Sequence, residues 1–228
     1  MTKNLKTLIH RLTGVLCLCG MLFSAGIFAS CTENKDEVEE FANWKSTNDT
    51  YWQKLYTATE QKIKAGDTSW RLILNYTLQG QQANSGATLS YRPEDYIIVH
   101  VEETGTGTVN PIYSDSVAVH YKGQLIPSTT YTAGLIFDKS WSRDVFDAST
   151  SRPAHLHVGS VVDGFATALQ QMHKGDHWTI YIPYQLGYGS SKTGSVPAYS
   201  TLIFDLRLVG IAHVMRRGTR PRVSVILK

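Results

Sequence analysis

Cysteine is almost missing from this 228-residue chain: Cys17, Cys19 and Cys31 are the only three, all within the first 31 positions. No disulfide framework or cysteine-built metal site can therefore staple the remainder. Charge is also sparse. Charged residues make up 18% of the chain and hydrophobic residues 42%, which excludes a collagenous, mucin-like or mostly disordered protein. Acidic residues are absent from residues 1–30 and from 213–228, and these two gaps account for the net charge of +3. Without the first 30 residues the chain holds 19 basic and 19 acidic residues, and residues 31–212 alone hold 14 basic and 19 acidic. An acidic body between two basic ends gives no argument for nucleic-acid binding.

The first basic end reads as a targeting segment. Lys3, Lys6 and Arg11 precede a mostly apolar run from Leu12 to Ala29, which ends in small residues before Cys31. A charged start, an apolar middle and a small-residue exit form a secretory signal. Phe28-Ala29-Ser30-Cys31, followed by the acidic stretch from Glu33 to Glu40, resembles a bacterial lipoprotein signal in which Cys31 is lipidated and becomes the first mature residue. That resemblance implies a lipid-anchored protein in the cell envelope of a diderm bacterium, at the outer membrane. The alternative is an uncleaved helix, since the run approaches the spanning minimum of roughly 17 residues.

Residues 32–50 read as an acidic tether. Phe41, Trp44, Tyr51, Trp52, Leu55, Tyr56 and Ile63 recur at helical spacing, which predicts an amphipathic helix over 36–64 ended by Ala65-Gly66-Asp67. It packs on the next domain or on itself, or else it is a helix that forms a homodimer or binds a partner. Trp70 to Leu78 is rich in β-formers, and 79–86 is a loop by composition. Strand-like runs follow at Tyr96–Val101, Val117–Tyr121, Trp178–Ile182 and Thr201–Val209, with alternation that buries one face. One helical candidate, Gly164–Met172, sits among them. The fold class is therefore α+β, an antiparallel sheet whose apolar face one short helix must cover, preceded by a small helical N-terminal region.

Six blocks then occur in order: Val119-His120-Tyr121-Lys122-Gly123, Phe137-Asp138, Val161-Val162-Asp163-Gly164-Phe165, Met172-His173-Lys174-Gly175-Asp176, Leu186-Gly187-Tyr188-Gly189 and Thr201 to Leu206. Over residues 94–211 they resemble an FKBP-type peptidyl-prolyl cis-trans isomerase. The resemblance implies a curved sheet wrapped around the short helix, with an apolar prolyl pocket between them. Carried over by position, the site is Tyr121, Phe137, Asp138, Val161, Val162, Phe165, Tyr188, Val196 and Phe204. It makes Phe165 the pocket floor, where many members have Trp. Val162 would supply a backbone N–H to the substrate and Tyr188 a hydroxyl to a substrate carbonyl. Proline-containing polypeptides are the implied partners, and no cofactor, metal or nucleic acid is implied. The competing class is a non-catalytic peptide-binding module.

Two departures from the family stand out. The stretch 139–152 is long, and Ala154 stands where an aromatic often walls the pocket, so that Trp141 or Phe146 would have to substitute. The domain organisation is thus a signal over 1–30, tether and helix/strand region over 31–93, isomerase-like domain over 94–211 and basic tail over 212–228. Three weaker patterns carry nothing. Gly187 to Thr193 lacks the Gly directly before Lys of a phosphate loop. Gly105 to Asn110 lacks the third Gly of a dinucleotide turn. His155 and His157 share one side of a strand without a third ligand.

Overall fold

The computed structural model describes residues 39–81 and 89–213. Residues 1–38, with the signal and Cys31, most of the loop after residue 81 and the basic tail from 214 lie outside the described residues.

Seven strands build one antiparallel sheet: β1 (Trp70–Leu74), β2 (Tyr96–Glu103), β3 (Ser116–Leu125), β4 (Ile136–Lys139), β5 (Ala154–His157), β6 (His177–Ile182) and β7 (Leu202–Ala212). Their order is β1-β2-β6-β7-β3-β4, with β5 paired to β3 beside β4. The described residues hold two α-helices, α1 (Trp44–Lys64) and α2 (Asp163–Leu169). Alternation sets the inner face. Ile97 and Val99 of β2, Trp178, Ile180 and Ile182 of β6, and Leu202, Phe204, Leu206 and Leu208 of β7 are all buried and turn to the side that α2 covers. All seven residues of α2 except Asp163 are buried, because it lies inside the sheet's curve. Gly164 permits this approach, since a Cβ there would stand 2.3 Å from Ile182 Cγ2.

α1 begins at Trp44, not in the mid-thirties. Asn43 adopts a left-handed conformation (φ 53°), so the preceding residues enter as a turn in which the Phe41 ring meets Trp44 edge-on at 4.9 Å. Its buried stripe is Trp44, Asn48, Trp52 and Thr59, two of them polar. The helix packs against β1 and the outer side of the sheet. There, Ile98, Tyr181 and Ile203 form a row across β2, β6 and β7. Tyr51 stands beside Tyr181, and burial pushes its phenol up to about 12. Intramolecular docking is thus what the apolar spacing of this helix encodes. Strand β1 stops at Leu74 rather than Leu78, because Asn75 turns inward: its N–H donates to Asp95 O (2.9 Å) and its Oδ1 accepts from Thr77 N (3.2 Å).

Candidate active site

β3 carries two short strands on one edge. β5 pairs with Ser116–Val119 and β4 with Lys122–Gln124, leaving His120 and Tyr121 between them. Ser140 bridges this gap, its hydroxyl accepting from Tyr121 N (3.0 Å) and its N–H donating to Tyr121 O (2.9 Å). Tyr121 therefore points from a fixed backbone onto the inner face, where a cavity of about 220 Å³ opens.

Its lining is Tyr121, Phe137, Asp138, Leu156, Ser160, Val161, Val162, Phe165, Tyr188 and Phe204. Phe165 meets Phe204 edge-to-face at 4.9 Å, and Phe137 meets Phe204 at 5.5 Å. Tyr121 stands 6.2 Å from Phe165. Such perpendicular ring pairs contribute about 0.5–1.5 kcal/mol each beyond area burial, so the walls are stiff. The ring of Phe137 can lie this close because residue 123 is glycine, where a Cβ would come within 2.6 Å of it and 2.7 Å of Phe204.

Polar groups are few. The Tyr121 hydroxyl donates to Asp138 Oδ2 at 2.6 Å, and burial, this bond and the carboxylate's charge all push the phenol up, so it stays protonated and donating. Burial and then the Asp138 charge push the Tyr188 phenol up too. Tyr188 is 37% exposed at the mouth, on a turn closed by Gly189 N donating to Tyr184 O (2.8 Å). Val162 caps α2 with extended backbone (φ −60°, ψ 149°), and its carbonyl accepts from Phe165 N and Ala166 N. Its own N–H donates to no described residue. The arrangement can grip an apolar ring between aromatic and aliphatic walls and offer one amide N–H and one hydroxyl.

Eight of the nine residues assigned from sequence gather on this cavity. Val196 does not: it is buried in the core, turned there by paired hydrogen bonds with Thr193 (3.0 and 2.9 Å). Neither Trp141 nor Phe146 fills the place left by Ala154. Their rings meet edge-on at 5.1 Å over the sheet's outer side, where Phe146 meets His120 (4.8 Å) and the Arg207 guanidinium (4.8 Å). Leu156 lines the cavity in this region. The outward pair His155 and His157 was the available signal for it, since the residue between them must face inward. Ser160, in the one-turn 3-10 segment before Val161, left no signal. Among the described residues no three His, Cys, Asp or Glu side chains converge as a metal site would need.

A curved antiparallel sheet closed over a short buried helix, with an aromatic cavity at the helix N-terminus, defines an FKBP-like domain. Residues 107–209 match the sequence model described as FKBP-type peptidyl-prolyl cis-trans isomerase. Over 125 residues the chain is 34% identical to a macrophage infectivity potentiator of Trypanosoma cruzi, covering 54% of this chain and 57% of that protein. It is 37% identical over 110 residues to the FKBP-type 22 kDa peptidyl-prolyl cis-trans isomerase of Escherichia coli, covering 47% and 46%. The chain thus spans about half the length of these curated relatives. In fold it is similar to the crystal structure of a peptidyl-prolyl cis-trans isomerase from Pseudomonas syringae, with TM-score 0.50, 21% identity, and coverage of 76% of this chain and 96% of that one.

Proposed function

We propose that this protein is a peptidyl-prolyl cis-trans isomerase acting on proline-containing polypeptides. The observation that carries the reading is the convergence of eight dispersed residues on one aromatic cavity, with the unpaired Val162 N–H and the Tyr188 hydroxyl beside it. Rotation about a peptide bond faces a barrier of ~18–20 kcal/mol from amide resonance, and an Xaa–Pro bond takes tens to hundreds of seconds uncatalysed. No covalent bond has to break. A dry pocket removes the water that favours the planar, charge-separated amide, and each ~1.4 kcal/mol of preference for the twisted form gives tenfold in rate. In this reading Phe165 is the floor, Tyr121, Phe137 and Phe204 hold the prolyl ring, and Val161 and Val162 complete the wall. Val162 N–H donates to the substrate backbone and the Tyr188 hydroxyl to a substrate carbonyl. Asp138 fixes Tyr121 and needs no part in proton transfer.

A protease-coupled assay on a proline tetrapeptide tests this. Acceleration is expected at micromolar protein, reduced several-fold in Tyr188→Phe, while a rate equal to background makes the pocket a binding module.

The anchor belongs to the same proposal. Lipidation at Cys31 would tether the isomerase to the envelope of a diderm bacterium, at the outer membrane, where it would serve exported chains; its support is the sequence pattern around Cys31. Among the described residues no helix is long and apolar enough to cross a membrane. Cys31→Ser is expected to release the protein from membranes and change its mature mass; unchanged fractionation and mass exclude lipidation. A homodimer through residues 36–64 would have to use the exposed side of α1, because its buried stripe is already spent on the chain's own sheet.

A further inference from the structure

The segment between Tyr188 and β7 is held from outside the matched domain. Trp44 Nε1 donates to Ser200 Oγ at 2.7 Å, and that hydroxyl donates on to Pro197 O at 2.8 Å. Four residues along the same helix, Asn48 accepts from Thr201 N at 2.7 Å through Oδ1 and donates to Trp44 O at 2.8 Å through Nδ2. All four residues are buried, Asn48 and Thr201 to 1% exposure. An asparagine inside an apolar stripe costs desolvation, and here both ends of its amide are satisfied, one of them across 153 residues of sequence.

Between the two anchored residues and the pocket lies Tyr199, the second of only two non-glycine residues with positive φ among the described residues (φ 62°). A tyrosine in the left-handed region is unfavourable and persists only where its surroundings over-determine it. Here they do: its neighbours Ser200 and Thr201 are tied to α1, its ring meets Tyr184 edge-on at 5.3 Å, and its N–H donates to Gly189 O at 2.9 Å. Gly189 follows Tyr188 directly. A continuous chain of contacts thus runs from Asn48 and Trp44, through 199–201, to the residue at the cavity mouth. Just before α1, Glu40 accepts from Ser128 Oγ (2.5 Å) and Thr130 N (3.0 Å), tying down the loop that leads into β4 and Phe137.

We propose that Asn48 is a positioning residue of the pocket: α1 is a clamp that holds Tyr199 in its left-handed conformation and thereby sets the Tyr188 turn. Among the described residues no hydrogen bond or ring contact joins the helix to a lining residue, and it acts by limiting how far the 187–201 segment can move. A misplacement of about 1 Å in a positioning group costs up to about 10²-fold in rate, so a slack clamp is visible in catalysis. The inference deepens the isomerase reading and rests on it for its kinetic part alone.

The test compares wild type, Asn48→Ala and Trp52→Leu, the last trimming the same buried stripe one turn on while the Trp44–Ser200 and Asn48–Thr201 hydrogen bonds stay in place. Amide hydrogen exchange by mass spectrometry and proline-tetrapeptide kinetics are measured well below unfolding. In Asn48→Ala, exchange over 187–201 is expected to rise at least tenfold while β2 and β6 keep theirs, and kcat/KM is expected to fall about tenfold, chiefly through KM. Trp52→Leu is expected to lose thermal stability and keep kcat/KM. Unchanged exchange over 187–201 overturns the clamp, as does raised exchange with unchanged kcat/KM, or an equal kinetic loss in Trp52→Leu. A wild type without activity removes the isomerase reading instead, and the exchange result together with Kd for the peptide then decides the clamp. Should Asn48→Ala not fold, Ser200→Ala, which leaves α1 intact, takes its place in every arm.

Discussion

Phe165→Ala is expected to destabilise the protein by about 3–5 kcal/mol and to remove isomerase activity in the fraction that stays folded. The side chain is 4% exposed, in the first turn of α2, with ring partners on two strands, Phe204 on β7 and Tyr121 on β3. Truncation leaves a void that the curved sheet cannot close, because Phe204 is itself braced by Phe137. For a chain of this size each kcal/mol moves the midpoint by roughly 2–4 °C, so the loss is about 6–20 °C in Tm. The cavity meanwhile gains a hole in its floor, and a prolyl ring can sink without being gripped. Calorimetry and the coupled assay at low temperature separate the two effects. Phe165→Leu, which keeps most of the apolar volume, should recover stability before activity. Full activity in folded Phe165→Ala would end the floor assignment.

Gly123→Ala attacks the same cavity from the opposite wall and should spare the fold more. Alanine in place of a strand glycine ordinarily stabilises slightly, by reducing the freedom of the unfolded chain. Here the added methyl would stand 2.6 Å from Phe137 and 2.7 Å from Phe204, both rings of the lining. The rings must move, at a cost of about 1–3 kcal/mol for overpacking. With the sheet backbone behind them, the free direction is into the 220 Å³ cavity. Affinity for a proline peptide, read by calorimetric titration, is expected to fall by at least tenfold, with Tm lowered by only a few degrees. Unchanged affinity would mean that the cavity is not where the peptide binds.

Much of this architecture is legible in the sequence because it is written as alternation. Trp178, Ile180 and Ile182, and Leu202 to Leu208, can bury their large side chains together only as strands. Phe165, Ala168, Leu169 and Met172 can do so only as a helix, and all four are buried. The spacing of six sequence blocks then marks eight cavity residues. What was not legible depends on pairing across long separations. Strands β4 and β5 are four residues each, too short to show a period, and exist because β3 offers them an edge. Trp141 and Phe146 carry no sign of which side of the sheet they will cover. Val196 lies in a turn closed by two hydrogen bonds with Thr193 and is buried in the core, off the cavity lining. Asn48 and Thr59 are misleading in sequence, since polar residues in a helical stripe read as its exposed side until a partner such as Thr201 N is known.

The place of β7 has a consequence for how the molecule is made. It is the last strand among the described residues and yet an interior one, hydrogen-bonded to β6 on one side and to β3 on the other, with Val117 opposite Ile211. Until residue 212 has emerged from the ribosome, β3 and β6 have no common neighbour, Phe204 is absent from the cavity and Thr201 cannot engage α1. Loop-closure entropy for such distant pairings is spent before any contact repays it, which puts the sheet among slow, late-closing topologies. The sheet can therefore close only once the segment carrying β7 is available, so the cavity walls form in one late event rather than hairpin by hairpin.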